Sequence, residues 1–189
     1  YSIKIFDNPE LLDMEIQKRA KESDSALSRV IATYDWEYSS TRKPMAQDYL
    51  VKYWEVLIGK WHKPWNRELE SELTRKEKRD IKGLAWAEQP KTINEVGSTF
   101  TIQGFDLNYA GVILGPSVKY RDGKIRFDPS ASHNEKAVRN RTLSDGTKKK
   151  FGETLIQHEV RVLMTRGVNG MYIYACDPEL RAALLAAAK

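Results

Sequence analysis

Ala110-Gly111-Val112-Ile113-Leu114-Gly115-Pro116 is the stretch on which the fold turns. Five apolar residues run without a polar interruption and stop at Gly-Pro, where neither a helix nor a ladder continues easily. A strand buried on both faces reads this way, and such strands belong to parallel sheets covered by helices. Met171-Tyr172-Ile173-Tyr174-Ala175 has the same character. Between the two, Gly152 to Arg166 carries Leu155, Ile156, Val160, Leu163 and Met164 at helical spacing, with Gly167 placed as a C-terminal cap.

Working outward, the apolar run Ile3 to Phe6 predicts a strand, and Asn8 and Pro9 predict a capped helix reaching about Ser23. Ser28 to Tyr34 is β-branched and aromatic, as strands are. Thr92 and Glu95 stand at capping-box spacing and predict a short helix. Ser98 to Ile102 is expected to be a strand that turns at Gln103-Gly104, and Gly115 to end the next one. Asp122-Gly123 marks a hairpin between Val118 and Phe127, and Asp177-Pro178 starts a final helix. Alternating strands and helices predict an α/β fold of three layers, a mainly parallel sheet with helices on both faces. An irregular insertion over about 36–90 interrupts it, holding Trp36, Trp54, Trp61, Trp65 and Trp86. Core anchoring is the ordinary use of so many tryptophans, and base stacking is the alternative. The mixed charges from Arg67 to Lys82 predict an exposed helix.

Composition bounds the rest. The chain of 189 residues is 41% hydrophobic and 30% charged, the balance of an ordinary folded domain. No run approaches the ~20 apolar residues of a membrane span. A single cysteine, Cys176, rules out an internal disulfide and favours a cytoplasmic setting, and His62, His133 and His158 lack metal-ligand spacing. The net charge of +5 is concentrated in a basic loop over about 132–150, where between Lys136 and Lys150 the six cations Lys136, Arg139, Arg141, Lys148, Lys149 and Lys150 face only Asp145. Clustered cations of this kind contact nucleic-acid phosphates without regard to sequence. Gly59-Lys60 and Gly123-Lys124 lack the remainder of a phosphate-cradling G-x-x-x-x-G-K-S/T loop. The opening on Tyr1, with no methionine or apolar leader, reads as a piece of a longer protein.

Two segments go beyond pattern: Ser98 to Pro116, STFTIQGFDLNYAGVILGP, and His158 to Asp177, HEVRVLMTRGVNGMYIYACD. They resemble motifs V and VI of superfamily 1 helicases. The chain is similar throughout to the C-terminal half of a bacterial family of uncharacterised P-loop ATPases related to the Schlafen-type helicase domain, including the Pro64-Trp65-Asn66-Arg67 segment. The resemblance implies a single domain over 1–189, the second RecA-like domain of a two-domain motor, whose N-terminal partner domain supplies the phosphate loop and the Mg2+ ligands. It implies ATP with Mg2+ in the full-length protein, none bound by this chain alone, and DNA or RNA as the further partner. By position in the motifs, Arg166 corresponds to the arginine finger, Gln103, Gly104, Asp106 and Arg161 to nucleotide contacts, and Thr101 to a strand-phosphate contact. Lys148, Lys149 and Lys150 join them as nucleic-acid contacts from the basic loop. The family commonly has Glu, Phe and Asp where Asp106, Leu107 and Asn108 stand, so the ribose contact here would come from a shorter arm.

Two other readings compete with a motor domain. One is a nucleic-acid-binding or regulatory module that keeps the fold without motor activity. The other is a metal-dependent nuclease using Asp106, Asp122 or Asp128 beside Lys124.

Overall fold

A computed structural model describes residues 1–22, 25–44, 52–139, 141–142 and 144–188. Parts of the insertion and of the basic loop, residues 45–51, 140 and 143, lie outside the described residues, as does Ser23. The elements run β1 (Ser2–Ile5), α1 (Pro9–Lys21), β2 (Ser28–Ala32), β3 (Glu55–Ile58), β4 (Trp61–Pro64), α2 (Arg75–Asp80), β5 (Val96–Gly97), α3 (Thr99–Ile102), β6 (Leu107–Leu114), β7 (Val118–Arg121), β8 (Lys124–Phe127), α4 (Glu135–Val138), β9 (Arg141–Thr142), β10 (Lys148–Lys149), α5 (Gly152–Met164), β11 (Gly167–Ala175) and α6 (Pro178–Ala187).

The quoted apolar run is β6, at the centre of a five-stranded sheet ordered β1-β11-β6-β2-β5. Every pairing in it is parallel. Side chains of β6 alternate between two cores. Ala110, Val112 and Leu114 join Ile156 and Leu163 of α5 and Leu180 of α6, while Ile113 joins Leu12 and Ile16 of α1 on the opposite face. Leu12, Ile16, Ile113, Ile156 and Leu163 are fully buried, each contributing about 1.5–3 kcal/mol by leaving water. Gly111 lets α1 approach closely, since a Cβ there would stand 2.7 Å from Ile16 Cγ1 and 2.8 Å from Leu12 Cδ2. The three-layer α/β architecture is therefore as the sequence predicts.

Local signals explain most boundaries. Asn8 accepts from the Glu10 amide at 2.8 Å and Pro9 begins α1, which ends at Lys21. Asp122 and Gly123 both take positive φ, 53° and 73°, as the two-residue turn between β7 and β8 requires. Asp177 caps α6 through the Leu180 amide and also receives both terminal nitrogens of Arg121, at 3.0 and 2.8 Å, fastening the β7–β8 hairpin to the helix.

Five expectations are corrected. Ser98 to Ile102 is not a strand: Ser98 and Thr101 cap each other and wind the segment into α3, with the Ser98 amide donating to Thr101 Oγ1 at 2.8 Å. Gln103 and Gly104 consequently follow a turn of helix rather than a strand, and lie between α3 and the start of β6. Thr92 and Glu95 form no capping box; Pro90–Asn94 is a 3-10 helix, and Glu95 turns inward to accept from the Leu69 amide and Trp86 Nε1. Gly167 does not cap α5 but opens β11, where a Cβ would run into the Gly170 carbonyl across an irregularity in the strand. The basic loop contains α4 and a small hairpin in which Lys148 and Lys149 pair with Thr142 and Arg141. The charged run after Arg67 is a 3-10 helix, Glu68–Glu72, followed by α2 with a capping box at Thr74.

The tryptophan-rich insertion is anchored, not floating. Trp65 and Trp86 are core residues at 0% and 1% exposure. Lys63 donates to Asp13 of α1 at 2.6 Å and to the Ile93 carbonyl at 2.8 Å, a buried ion pair that ties β4 to the first helix. Arg29, also buried, spends its guanidinium on Thr92 and the carbonyls of Ala26, Ser28 and Gln89.

Candidate nucleotide and nucleic-acid interface

The helix α5 delivers Arg166 to the amino edge of β11, and the register of the sheet sets it beside the start of β6. The Leu107 amide donates to the Arg166 carbonyl at 2.8 Å, so the two motif segments share a backbone hydrogen bond. Arg166 Nη1 lies 3.3 Å from Asp106 Oδ1, with side-chain exposures of 21% and 62%. Its Nε donates to the Val162 carbonyl at 3.0 Å and its Nη2 to Thr165 Oγ1 at 3.2 Å. These acceptors hold the guanidinium at a fixed height over the edge of the sheet. Gln103 and Gly104 are exposed in the turn leading to Phe105, whose carbonyl lies 3.5 Å from Arg166 Nη1. Gly104 has φ +74° and open space where a Cβ would stand, so a ligand oxygen can approach that backbone closely. Donors, a permanent cation and an open glycine backbone suit a polyphosphate presented from outside. Among the described residues no group of three or more His, Cys, Asp or Glu is placed to hold a metal. The nuclease carboxylates are dispersed over three elements: Asp106 pairs with Arg166, Asp122 shapes a turn, and Asp128 is held by Lys119.

Arg161 is exposed on α5, and its carbonyl accepts from the Thr165 hydroxyl. Lys148, Lys149 and Lys150 are exposed on and after β10, away from α5's last turn in sequence, with Lys149 Nζ 5.4 Å from the centre of the Phe151 ring. Thr101 lies on α3, where its hydroxyl is engaged with Ser98, accepting from the amide and donating to the carbonyl at 3.0 Å.

Two clefts flank α3 on the way from the carboxyl end of the sheet to Arg166. The larger, of about 870 Å³, is lined by Tyr34, Tyr38 and Phe100 with Arg42, Arg67 and His133. Phe100 is 54% exposed and stands edge-on to Tyr34 with ring centres 5.3 Å apart. Thr101 borders the same cleft. The smaller, of about 290 Å³, runs between α3 and α5 and is lined by Phe100, Gln103, Arg141, His158, Glu159 and Val162 among others. In sequence Gln103 and the basic stretch are separate features, yet Arg141 of β9 shares this cleft with Gln103. Val162 links the cleft to the arginine, since its carbonyl holds Arg166 Nε.

A family model described as the Schlafen group 3, DNA/RNA helicase domain matches residues 1–177. The chain belongs to this family. It is also 35% identical over 196 residues, 100% of its own length, to the uncharacterised protein YPL245W of Saccharomyces cerevisiae. The chain spans 37% of that relative's length. The likeness drawn from the motifs was to bacterial members, and this relative is from a yeast. No solved structure matches the chain.

In this Schlafen-type domain several functional candidates escaped the sequence. Asn66 and Arg67 adopt consecutive left-handed conformations, φ 54° and 70°, which is unusual for two non-glycine residues. The strain is held in place by the Asn66 amide donating to the Val96 carbonyl and by Ser98 Oγ donating to Asn66 Oδ1 at 2.7 Å. The Pro64–Arg67 segment thus braces the entrance to motif V and turns Arg67 into the larger cleft. An asparagine before an arginine was the available signal, since asparagine tolerates this region of backbone space.

At the carboxyl end of the sheet, the loop after β6 is filled from within. Asp35 Oδ2 accepts from the Ser117 amide at 2.8 Å and from Thr33 Oγ1 at 3.0 Å, and Thr33 Oγ1 accepts from the Gly115 amide at 2.8 Å. Amides that would greet a phosphate after a strand are occupied, Ser117's by this carboxylate, whose pKa burial raises, and Gly115's by the Thr33 hydroxyl. Cys176 nearby has its thiol pushed up to about 12 by burial and so carries no thiolate chemistry. Glu159 of α5, 7% exposed, accepts from the Tyr34 amide at 2.8 Å through Oε1. Burial, and then the negative Asp35, push its carboxyl up to about 7.

Proposed function

We propose that this chain is the second motor domain of an ATP-dependent helicase- or translocase-like ATPase, working with a preceding RecA-like domain of the same protein. The observation that carries this reading is the meeting of Asp106 and Arg166 at one edge of the sheet, because it makes a single surface of two motifs distant in sequence. On this reading ATP and its Mg2+ sit on the partner domain's phosphate loop and meet this edge. Arg166 places a permanent, forked positive charge on the γ-phosphate as charge develops there. Asp106 and the Val162 carbonyl orient the guanidinium, while Gln103 and the Gly104 backbone contact the phosphates beside it and Arg161 lies on the same helix. The clefts beside α3 take a nucleic-acid strand, with Thr101 on the border of the larger and Lys148, Lys149 and Lys150 adding screened attraction.

The test is ATP turnover by the full-length protein carrying Arg166→Ala, with a fall of about 10³-fold or more expected. Turnover at the wild-type rate would overturn the assignment. A second reading, a binding module without motor activity, is favoured by one specific observation, the aromatic and basic larger cleft. It predicts salt-sensitive binding of single strands that is indifferent to nucleotide, together with no turnover in the wild-type protein.

A further inference from the structure

The smaller cleft has a composition that phosphate binding does not explain. Phe100, 54% exposed, offers a ring from α3, and Val162, 37% exposed, faces the same space from α5. Arg141 supplies a cation, and between these groups the wall includes Glu159. Its Oε1 is committed to the Tyr34 amide, while Oε2 is buried with no partner at full hydrogen-bond geometry; the Thr99 hydroxyl is close enough to lower the carboxyl's pKa but falls short of that geometry. A buried acceptor left unpaired destabilises the fold, and a donor arriving from the cleft would recover that cost. Phe100 and Asn134 line both clefts, so a strand whose backbone follows Arg42 and Arg67 in the larger one passes the mouth of the smaller.

We propose that the α3–α5 cleft receives one unpaired base of a single strand and selects bases that carry an exocyclic amino group, with Glu159 Oε2 accepting from that group. The inference rests on the reading of the larger cleft as a strand path. Phe100 stacks on the base, a contact available to any base, whereas the acceptor distinguishes adenine and cytosine from thymine and uracil. A site built to accept a hydrogen bond discriminates against a ligand that lacks the donor, because the buried acceptor then stays unpaired. Arg141 lies where the adjoining phosphate would be. The groups facing the Glu159 carboxyl are the Tyr34 amide and Asp35 at the end of β2, Thr99 of α3, and Arg141 and His158 at the cleft.

The experiment measures binding of short oligo(dA), oligo(dC) and oligo(dT) to the full chain by fluorescence anisotropy at low salt and pH 8, where Glu159 is ionised. Oligo(dA) and oligo(dC) are expected to bind about tenfold more tightly than oligo(dT). Glu159→Gln, whose Nε2 donates from the place where Oε2 accepted, should abolish or reverse that preference by weakening oligo(dA) and oligo(dC), while retained or tighter oligo(dT) binding also shows that the variant is folded. Phe100→Ala should weaken all three by about fivefold or more. Lowering the pH to 6 should shrink the preference in the wild type and leave Glu159→Gln unmoved. Equal affinity for the three strands, or a preference that survives in Glu159→Gln, overturns the proposal and leaves the strand path standing. No binding of any strand overturns both.

Discussion

A carboxyl whose pKa is raised by folding weakens the fold as pH rises, and Glu159 makes this measurable. Its ordinary value is 4.5 and the folded value is about 7. Below 4.5 the acid is protonated in both states and contributes nothing to the pH dependence. Between the two values the native state holds a proton that the unfolded chain has released, so stability falls with each step up in pH. Above 7 both states are ionised and the loss is complete, about 3 kcal/mol at 1.36 kcal/mol per pH unit. Other acids act in the opposite sense: Asp128, paired with Lys119, lies at about 2 and adds stability as pH rises through the acid range. The clean quantity is therefore the difference between wild type and Glu159→Gln, in which the amide oxygen can still accept from Tyr34. Urea unfolding at intervals from pH 4.5 to 8.5 should show the variant gaining on the wild type by about 3 kcal/mol across that range, or ~6–12 °C in Tm. A difference that stays flat with pH would show that Glu159 is not a desolvated acid. It would also remove the physical basis for an unpaired acceptor in the α3–α5 cleft.

Two further outcomes test the packing that positions the site. Lys63→Met strands the Asp13 carboxylate in a buried place and should cost about 3–5 kcal/mol in urea unfolding, and adding Asp13→Leu should recover at least half; a loss under 1 kcal/mol would mean that the insertion does not depend on this tie. Gly111→Ala pushes a methyl against Ile16 and Leu12 of α1 and should cost about 1–3 kcal/mol in the same assay, with no loss pointing to a helix free to move outward.

What could be read from the sequence and what could not divide along a physical line. The strands β6 and β11 were legible because burial on both faces leaves continuous apolar runs, a pattern that needs no knowledge of partners. The helices α1 and α6 were legible because Asn8-Pro9 and Asp177-Pro178 write their starts locally. Ser98 to Ile102 failed because β-branched and aromatic residues suit a strand, while the Ser98–Thr101 cap, helped by Ser98's bond to Asn66, favours a turn of helix. That one misreading put Gln103 at the end of a strand, whereas it follows a turn of helix and faces α5 across a cleft. Glu95 failed for a related reason: its partners, Leu69 and Trp86, come from the insertion, so capping-box spacing with Thr92 was coincidence.

The site shows the same division at a longer range. Arg166 could be singled out from the motif alone, but its neighbours could not, because the contact with Asp106 spans the whole of β6, three hairpin or helical excursions and α5. The same distance hid the α3–α5 cleft. Gln103, Arg141 and Glu159 come from three segments whose individual patterns say turn, basic loop and amphipathic helix. On an amphipathic helix a glutamate is ordinarily read as solvent-facing, and only the packed structure shows Glu159 at 7% exposure with its charge pressed against Asp35. Part of that burial is offset within the fold, because Oε1 accepts from the Tyr34 amide, which a leucine would leave unpaired. The second oxygen has no bond of that quality, and an incoming amino group is the partner for which the surrounding ring and cation leave room.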